Sequence, residues 1–67
     1  MPLIPLTEDC ADGRTCPAVR ATSRGTVIVQ GYKLTAGDLA EITLGDGETA
    51  VEIPAELLLE AARAYGG

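Results

Sequence analysis

The chain has 67 residues, so it can bury one small core and has no room for a second domain. It contains no Trp, no Phe and 2 Tyr, and its core must therefore come from Val, Ile and Leu. Acidic residues outnumber basic ones by 10 to 5, and the resulting net charge of -5 disfavours direct binding to nucleic-acid phosphates.

The first segment, residues 1–15, combines two prolines, a glycine and three acidic residues without an apolar period. This composition is typical of a tail or loop. We expect a flexible N-terminal tail over residues 1–15 and a single small α+β domain over residues 16–67. The segment lacks the basic and long apolar regions of a secretory signal, and no window approaches the roughly 18 apolar residues of a membrane span. The sequence therefore predicts a soluble, cytoplasmic protein.

The next two segments predict a β-hairpin. Extended runs at residues 17–22 and 26–30 flank the short turn of Ser23, Arg24 and Gly25. The run at residues 26–30 is rich in β-branched residues and nearly continuous in hydrophobicity, as in a strand covered on both faces. We expect it to be the central strand of the sheet.

Residues 36–44 allow two predictions. Thr35 followed three residues later by Asp38 resembles an N-terminal capping box, which favours a short helix over about residues 36–42. Gly37 weakens that helix, and the alternation at residues 41–44 keeps open a strand over residues 40–44. That strand would pair across the turn at residues 45–47.

The C-terminal third predicts a strand and then a helix. The alternation at residues 50–53 places Val51 and Ile53 on one face of a strand, which Pro54 ends. Proline also suits the first turn of a helix, and residues 54–65 have a helical apolar period. The stripe that should pack on the sheet contains Leu57, Leu58, Ala61, Ala62 and Tyr65.

The predicted fold is α+β: a small antiparallel sheet of three to four strands with a C-terminal amphipathic helix packed on one face. Its expected core is made of the aliphatic residues on consistent periods, namely Val27, Val29, Val51, Ile53, Leu57 and Leu58. On this basis, truncating Leu58 to Ala should cost about 2 to 5 kcal/mol of stability.

Residues that could carry out chemistry are scarce. Histidine is absent, which removes the commonest general base and the commonest metal ligand. The GDG sequence at residues 45–47 lacks the lysine of a phosphate-binding loop and the ligand pattern of a calcium loop, and it is typical of a tight turn. We expect no catalytic residue, no metal and no cofactor, and thus a protein that is not an enzyme.

The two cysteines leave three alternatives open. Cys10 and Cys16 are spaced more widely than the usual Cys-x2-Cys pair of zinc sites, and thiols stay reduced in the cytosol. Free or opportunistically oxidised cysteines are favoured. A disulfide in an oxidising environment, or a zinc site completed by a dimer, would also be compatible with the sequence.

A thin aliphatic core makes a second copy or a protein partner the default expectation. We expect a homodimer or a partner complex that uses an exposed strand edge and the Leu59 side of the last helix, because Leu59 falls off the apolar stripe. The candidate partner-contact residues are Leu59, Tyr32 and Arg24. A basic patch is less favoured because the chain as a whole is acidic; it would contain Arg14, Arg20, Arg24 and Lys33.

Three sequence runs resemble a known group. The runs CPAV at residues 16–19, RGTVIVQG at 24–31 and GETAVEIP at 47–54 resemble small actinobacterial accessory proteins, similar in layout to the BldB-like partners of helix-turn-helix regulators. The resemblance implies an α+β accessory protein, antitoxin-like, that binds a transcription regulator. It transfers no functional residue.

A second resemblance gives the alternative. The run LTAGDLAEITLGDGETAVEIP at residues 34–54 is similar to the second half of an AbrB-type swapped hairpin. That resemblance implies a dimer that binds DNA or neutralises a toxin. The acidic charge of this chain departs from the basic face of the DNA-binding members, so direct binding to nucleic acid stays the less favoured expectation.

Overall fold

The computed structural model describes residues 2–8 and 16–66. The strands are β1 (Ile4–Pro5), β2 (Ala18–Ala21), β3 (Val27–Gln30), β4 (Tyr32–Lys33) and β5 (Val51–Glu52), and the helices are α1 (Ala36–Leu39) and α2 (Ala55–Gly66). Strands β1, β2 and β3 form one antiparallel sheet in that order, and β4 pairs with β5 in a second. Helix α2 packs against β2. The predicted α+β class, with a small antiparallel sheet and a C-terminal helix, is confirmed.

The predicted hairpin is formed by β2 and β3. Its turn closes at Thr22, whose backbone N–H donates to the carbonyl oxygen of Thr26 at 3.0 Å. The hydroxyl oxygens of these two threonines lie 2.7 Å apart. Gly25 adopts a φ of 79°, a left-handed conformation that is costly for residues with a Cβ. The local turn chemistry therefore forms as the sequence predicts.

The expectation that residues 26–30 form the central strand is wrong. Strand β2 lies in the centre, and all four residues of β3 are exposed at the edge of the sheet. The buried residues of β2 are Ala18, Val19 and Ala21. The physical reason is that β1 pairs with the far side of β2 and α2 packs on β2, which leaves β3 with β2 as its one neighbouring strand in the part of the chain that the structure describes.

The expected boundary at residue 16 is also wrong for residues 4–7. Ile4 lies opposite Ala21 in the sheet, and the N–H of Leu6 donates to the carbonyl oxygen of Val19 at 2.9 Å. Leu6 and Thr7 are both buried. This segment therefore belongs to the domain, because it supplies a strand and a core side chain. The remainder of the predicted tail, residues 9–15, lies outside the described residues.

The core is smaller than expected and lies between β2 and α2. Its buried apolar residues are Leu6, Val19, Ala21 and Ala61, with Ile53 and Leu57 packed partly against them. Ala18 is also buried but is not part of this cluster. The other four predicted core residues, Val27, Val29, Val51 and Leu58, are exposed.

Leu58 shows why the predicted core is wrong. Its surface is 59% accessible, so burial does not support the large cost expected for its truncation. A helical period identifies side chains that share a face, but it does not determine which part of that face is covered. Ala61 meets the core, and Leu58 lies on its margin.

The segment after β4 forms the favoured short helix. The hydroxyl oxygen of Thr35 accepts the backbone N–H of Asp38 at 3.2 Å, as expected for an N-cap. The helical turn continues past α1, where Ile42 donates its N–H to the carbonyl of Leu39. The alternative of a strand at residues 40–44 is therefore wrong.

The turn at residues 45–47 does not close a hairpin with the strand that follows. Its geometry is that of a tight turn, because the N–H of Glu48 donates to the carbonyl of Gly45 at 3.1 Å and Gly47 has a φ of 79°. The predicted strand after the turn is confirmed as β5, which pairs with β4 so that Tyr32 lies opposite Glu52.

Candidate protein-binding surfaces

Two carboxylates accept backbone hydrogen bonds, one over a long and one over a short distance along the chain. Glu60 accepts the backbone N–H of Glu8 at 2.9 Å, and Glu48 accepts that of Gly45 at 2.7 Å. Within residues 2–8 and 16–66, no group of three or more His, Cys, Asp or Glu side chains is arranged to hold a metal ion. Over the same residues, no helix is long and apolar enough to cross a membrane.

The three candidate contact residues lie on different elements. Arg24 lies in the β2–β3 turn, where its backbone N–H donates to the hydroxyl of Thr22 at 3.1 Å. Tyr32 lies on β4 and lines a small cleft beside Cys16. Leu59 lies on α2. All three are exposed, and Tyr32 and Leu59 line different clefts.

A shallow groove surrounds Leu59. It has a volume of about 620 Å³, and its lining residues are Leu6, Glu56, Leu59, Glu60, Arg63 and Ala64. Two carboxylates and one guanidinium therefore surround an exposed leucine whose surface is 58% accessible. We call this the Leu59 groove. It has an apolar centre and an acidic bias, which suits an apolar anchor carried on a basic surface.

A second groove lies on the other side of α2, and its lining is almost wholly apolar. Its volume is about 190 Å³, and its lining residues are Leu6, Val19, Val27, Val29, Leu58, Ala61, Ala62 and Tyr65. We call this the β3–α2 groove. Sequence reasoning missed it, although its residues are the apolar run of β3 and the stripe of α2. The sequence predicts that those residues pack against each other inside the fold, whereas the structure leaves most of them open to solvent.

Among residues 2–8 and 16–66, no strand pairs with the outer edge of β3. In an antiparallel ladder, residue pairs that exchange hydrogen bonds alternate with pairs that do not. Thr22 and Thr26 form a hydrogen-bonded pair. By alternation, the pairs Ala21–Val27 and Val19–Val29 do not exchange hydrogen bonds with each other. The N–H and C=O groups of Val27 and Val29 therefore point away from β2, toward the open edge.

The cysteines and the possible basic patch are the remaining features that the sequence singles out. Cys16 is disulfide-bonded, so of the three alternatives for the cysteines the structure supports the disulfide. Cys10 lies outside the described residues. Arg20, a member of the possible basic patch, donates from Nη1 to Oε1 of Gln30 at 3.1 Å. Arg14 also lies outside the described residues.

Comparison of the chain with known proteins adds no functional assignment. No protein-family model, no curated protein sequence and no solved structure matches this chain.

Proposed function

We propose that the chain is a non-catalytic accessory protein that binds another protein through the Leu59 groove. The observation that carries this proposal is an exposed leucine in the lining of a concave surface. Scattered exposed leucines are ordinary in proteins, but interface energy concentrates where an apolar side chain can be enclosed in a pocket. Leu59 offers such a contact, and Leu6 lines the same groove.

The charge around the groove indicates the chemistry of the partner. The groove is lined by two acidic residues, Glu56 and Glu60, and by one basic residue, Arg63. The whole chain carries a net charge of -5. A partner with a basic surface would be steered toward this acidic chain and away from like-charged proteins. Transcription regulators carry basic surfaces that neutralise DNA phosphates. We therefore propose a regulator, such as a helix-turn-helix protein, as the partner, with an antitoxin-like role for this chain.

A cytoplasmic location is part of this proposal, because a transcription regulator would be met there. Fractionation of the source cells is the measurement. Recovery in a secreted or other oxidising fraction, where disulfides such as that of Cys16 persist, would contradict the location.

Binding to a purified partner provides the main test. The partner is first recovered with the tagged chain from the source cells and identified, and the purified pair is then titrated at several salt concentrations. The Leu59→Glu variant should weaken binding by at least about tenfold, which corresponds to about 1.4 kcal/mol. The wild-type affinity should fall as salt rises.

A matched control separates the groove from general surface effects. Leu39 lies exposed on α1, away from the Leu59 groove, and Leu39→Glu makes the same chemical change. This control should bind like the wild type. Equal affinities for the wild type, Leu59→Glu and Leu39→Glu would refute the proposed surface.

We do not propose the AbrB-like DNA-binding function as a second candidate. No observation on the described residues favours it, since the run at residues 34–54 contains the short helix α1 and the two-residue strand β5. The acidic net charge also opposes it.

A further inference from the structure

The chain exposes more surface than a compact monomer of its length. Its accessible surface is 5411 Å², whereas a compact 67-residue monomer exposes about 4,000 Å². Its radius of gyration is 13.3 Å, against about 11 Å expected for a compact domain of this length. The excess surface is on the order of 1,400 Å², which exceeds the roughly 800 Å² that each partner contributes to a standard stable interface.

Part of the exposed apolar surface forms a continuous run on β3. Val27, Ile28 and Val29 are all exposed, and β3 contains no charged residue. Edge strands usually carry lysine, proline or a bulge that prevents pairing with another chain. Residues 27–30 contain none of these protections, so the edge is suited to accept another strand.

We propose that β3 pairs antiparallel with β3 of a second copy, so that the two three-stranded sheets become one continuous sheet about a two-fold axis. The edge of β3 contributes no residue to the Leu59 groove, and this pairing does not depend on the proposed partner. A second copy of the chain is the partner that best fits the edge of β3. One symmetric interface would cover the same unprotected edge and the same apolar groove on both chains.

Symmetry and hydrogen bonding select one register. A two-fold axis perpendicular to the sheet keeps each face on its own side, so residues that lie opposite each other must come from the same face. Val27 and Val29 carry the outward backbone groups and lie on the face of α2. Centring the axis on Ile28 places Val27 opposite Val29 of the second copy, and each such pair exchanges both of its hydrogen bonds. Centring on either valine would leave the other opposite a glycine outside the strand, either Gly25 or Gly31.

The same arrangement covers the β3–α2 groove. Both copies of α2 lie on one face of the continuous sheet, each above its own β2. Three strand spacings separate the two β2 strands by about 14 Å, whereas packed helices lie about 8 to 10 Å apart. The gap above the paired valines is therefore filled by longer side chains, and Leu58 and Tyr65 of each copy face it.

The first test uses the unmodified protein. Sedimentation across the micromolar range should show a dimer that dissociates on dilution. Amide exchange measured by NMR should show Val27 and Val29 protected in the dimer and unprotected in the dilute monomer. The amide of Ile28 points toward β2, and it should stay protected at both concentrations. A monomer at every concentration, or unprotected Val27 and Val29 amides in a dimer, would overturn the proposal.

The second test uses charge at the two-fold axis. Ile28→Lys or Ile28→Glu alone would place like charges opposite each other, and each variant should lose the dimer. An equimolar mixture of the two variants should recover a heterodimer, which a merely misfolded variant would not do. Ile42 has a similar exposure, 43% against 41% for Ile28, and Ile42→Lys should stay dimeric.

The outcomes separate this proposal from the proposed function. Persistence of the dimer in both Ile28 variants, or a mixture of folded variants that stays monomeric, would overturn the β3 register. If a variant does not fold by circular dichroism, the amide-exchange result on the unmodified chain decides. Leu59→Glu should leave the dimer intact, so loss of partner binding and loss of self-association are independent results.

Discussion

Leu6 and Val19 are hydrogen-bonded to each other next to the β1–β2 pairing: the N–H of Leu6 donates to the carbonyl oxygen of Val19 at 2.9 Å. The N–H of Val19 in turn donates to the hydroxyl of Thr7 at 3.2 Å. Both backbone groups of Val19, the most buried of the described residues, are thus satisfied by the N-terminal segment. Leu6 also lies beneath α2 and lines both grooves. The N-terminal segment therefore completes the core.

The first prediction concerns this contact. Leu6→Ala should lower the free energy of unfolding by about 2 to 5 kcal/mol, because it opens a cavity between β2 and α2. Urea denaturation provides the measurement. Leu59→Ala removes the same atoms from an exposed side chain and should change stability by less than about 0.5 kcal/mol. Equal effects of the two substitutions would contradict the assignment of Leu6 to the core.

The second prediction concerns the close approach of two backbones at Gly31. A Cβ at this position would lie 2.6 Å from the carbonyl oxygen of Glu52 and 2.7 Å from Cγ2 of Ile53. Gly31→Ala should therefore force β5 away from the chain between β3 and β4, at a cost of about 1 to 3 kcal/mol. Thermal unfolding monitored by circular dichroism measures this effect.

Gly37→Ala is the matched control for this substitution. A Cβ at Gly37 meets nothing closer than the hydroxyl of Thr35 at 3.9 Å, and the residue lies within α1. Alanine there should be neutral or should stabilise the chain by up to about 1 kcal/mol. A Gly31→Ala protein as stable as Gly37→Ala would show that β4 and β5 are not held as described.

The third prediction concerns the threonine pair of the hairpin turn. Thr22 is buried, its hydroxyl lies 2.7 Å from that of Thr26, and it accepts the N–H of Arg24. Thr22→Val keeps the shape and removes the hydroxyl, so it should cost about 1 to 3 kcal/mol through lost and unsatisfied hydrogen bonds.

The control for the turn is Thr43→Val in an exposed loop segment, which should change stability by less than about 0.5 kcal/mol. The free energies of unfolding of both variants are compared by denaturant titration. The comparison requires that the free energy depends on denaturant concentration with the same slope in both variants. If Thr22→Val were as stable as Thr43→Val, the hydroxyl network would contribute nothing to the hairpin.

The fourth prediction separates protein binding from DNA binding. The purified chain should not retard duplex DNA in a gel at low salt, because its net charge of -5 repels the phosphate backbone. The same assay with the identified partner serves as the positive control. Retardation by the chain alone that weakens with added salt would revive the AbrB-like alternative.

The features that the sequence predicted correctly depend on neighbours a few residues away. The turn at Gly25 needs a left-handed residue, the start of α1 needs the hydroxyl of Thr35 near the N–H of Asp38, and α2 begins after Pro54. Each is set by backbone sterics and short-range hydrogen bonds. Leu59 could likewise be identified as an exposed residue because it falls off the helical stripe.

Which surfaces became buried was decided by tertiary contacts that local patterns do not specify. The β-branched run of β3 would suit a central strand, but pairing of β1 with β2 placed β3 at the edge. The backbone of Glu8 meets the carboxylate of Glu60 from 52 residues away, and no local period encodes that contact. Periodicity determines which side chains share a face, whereas burial depends on which distant segment covers that face.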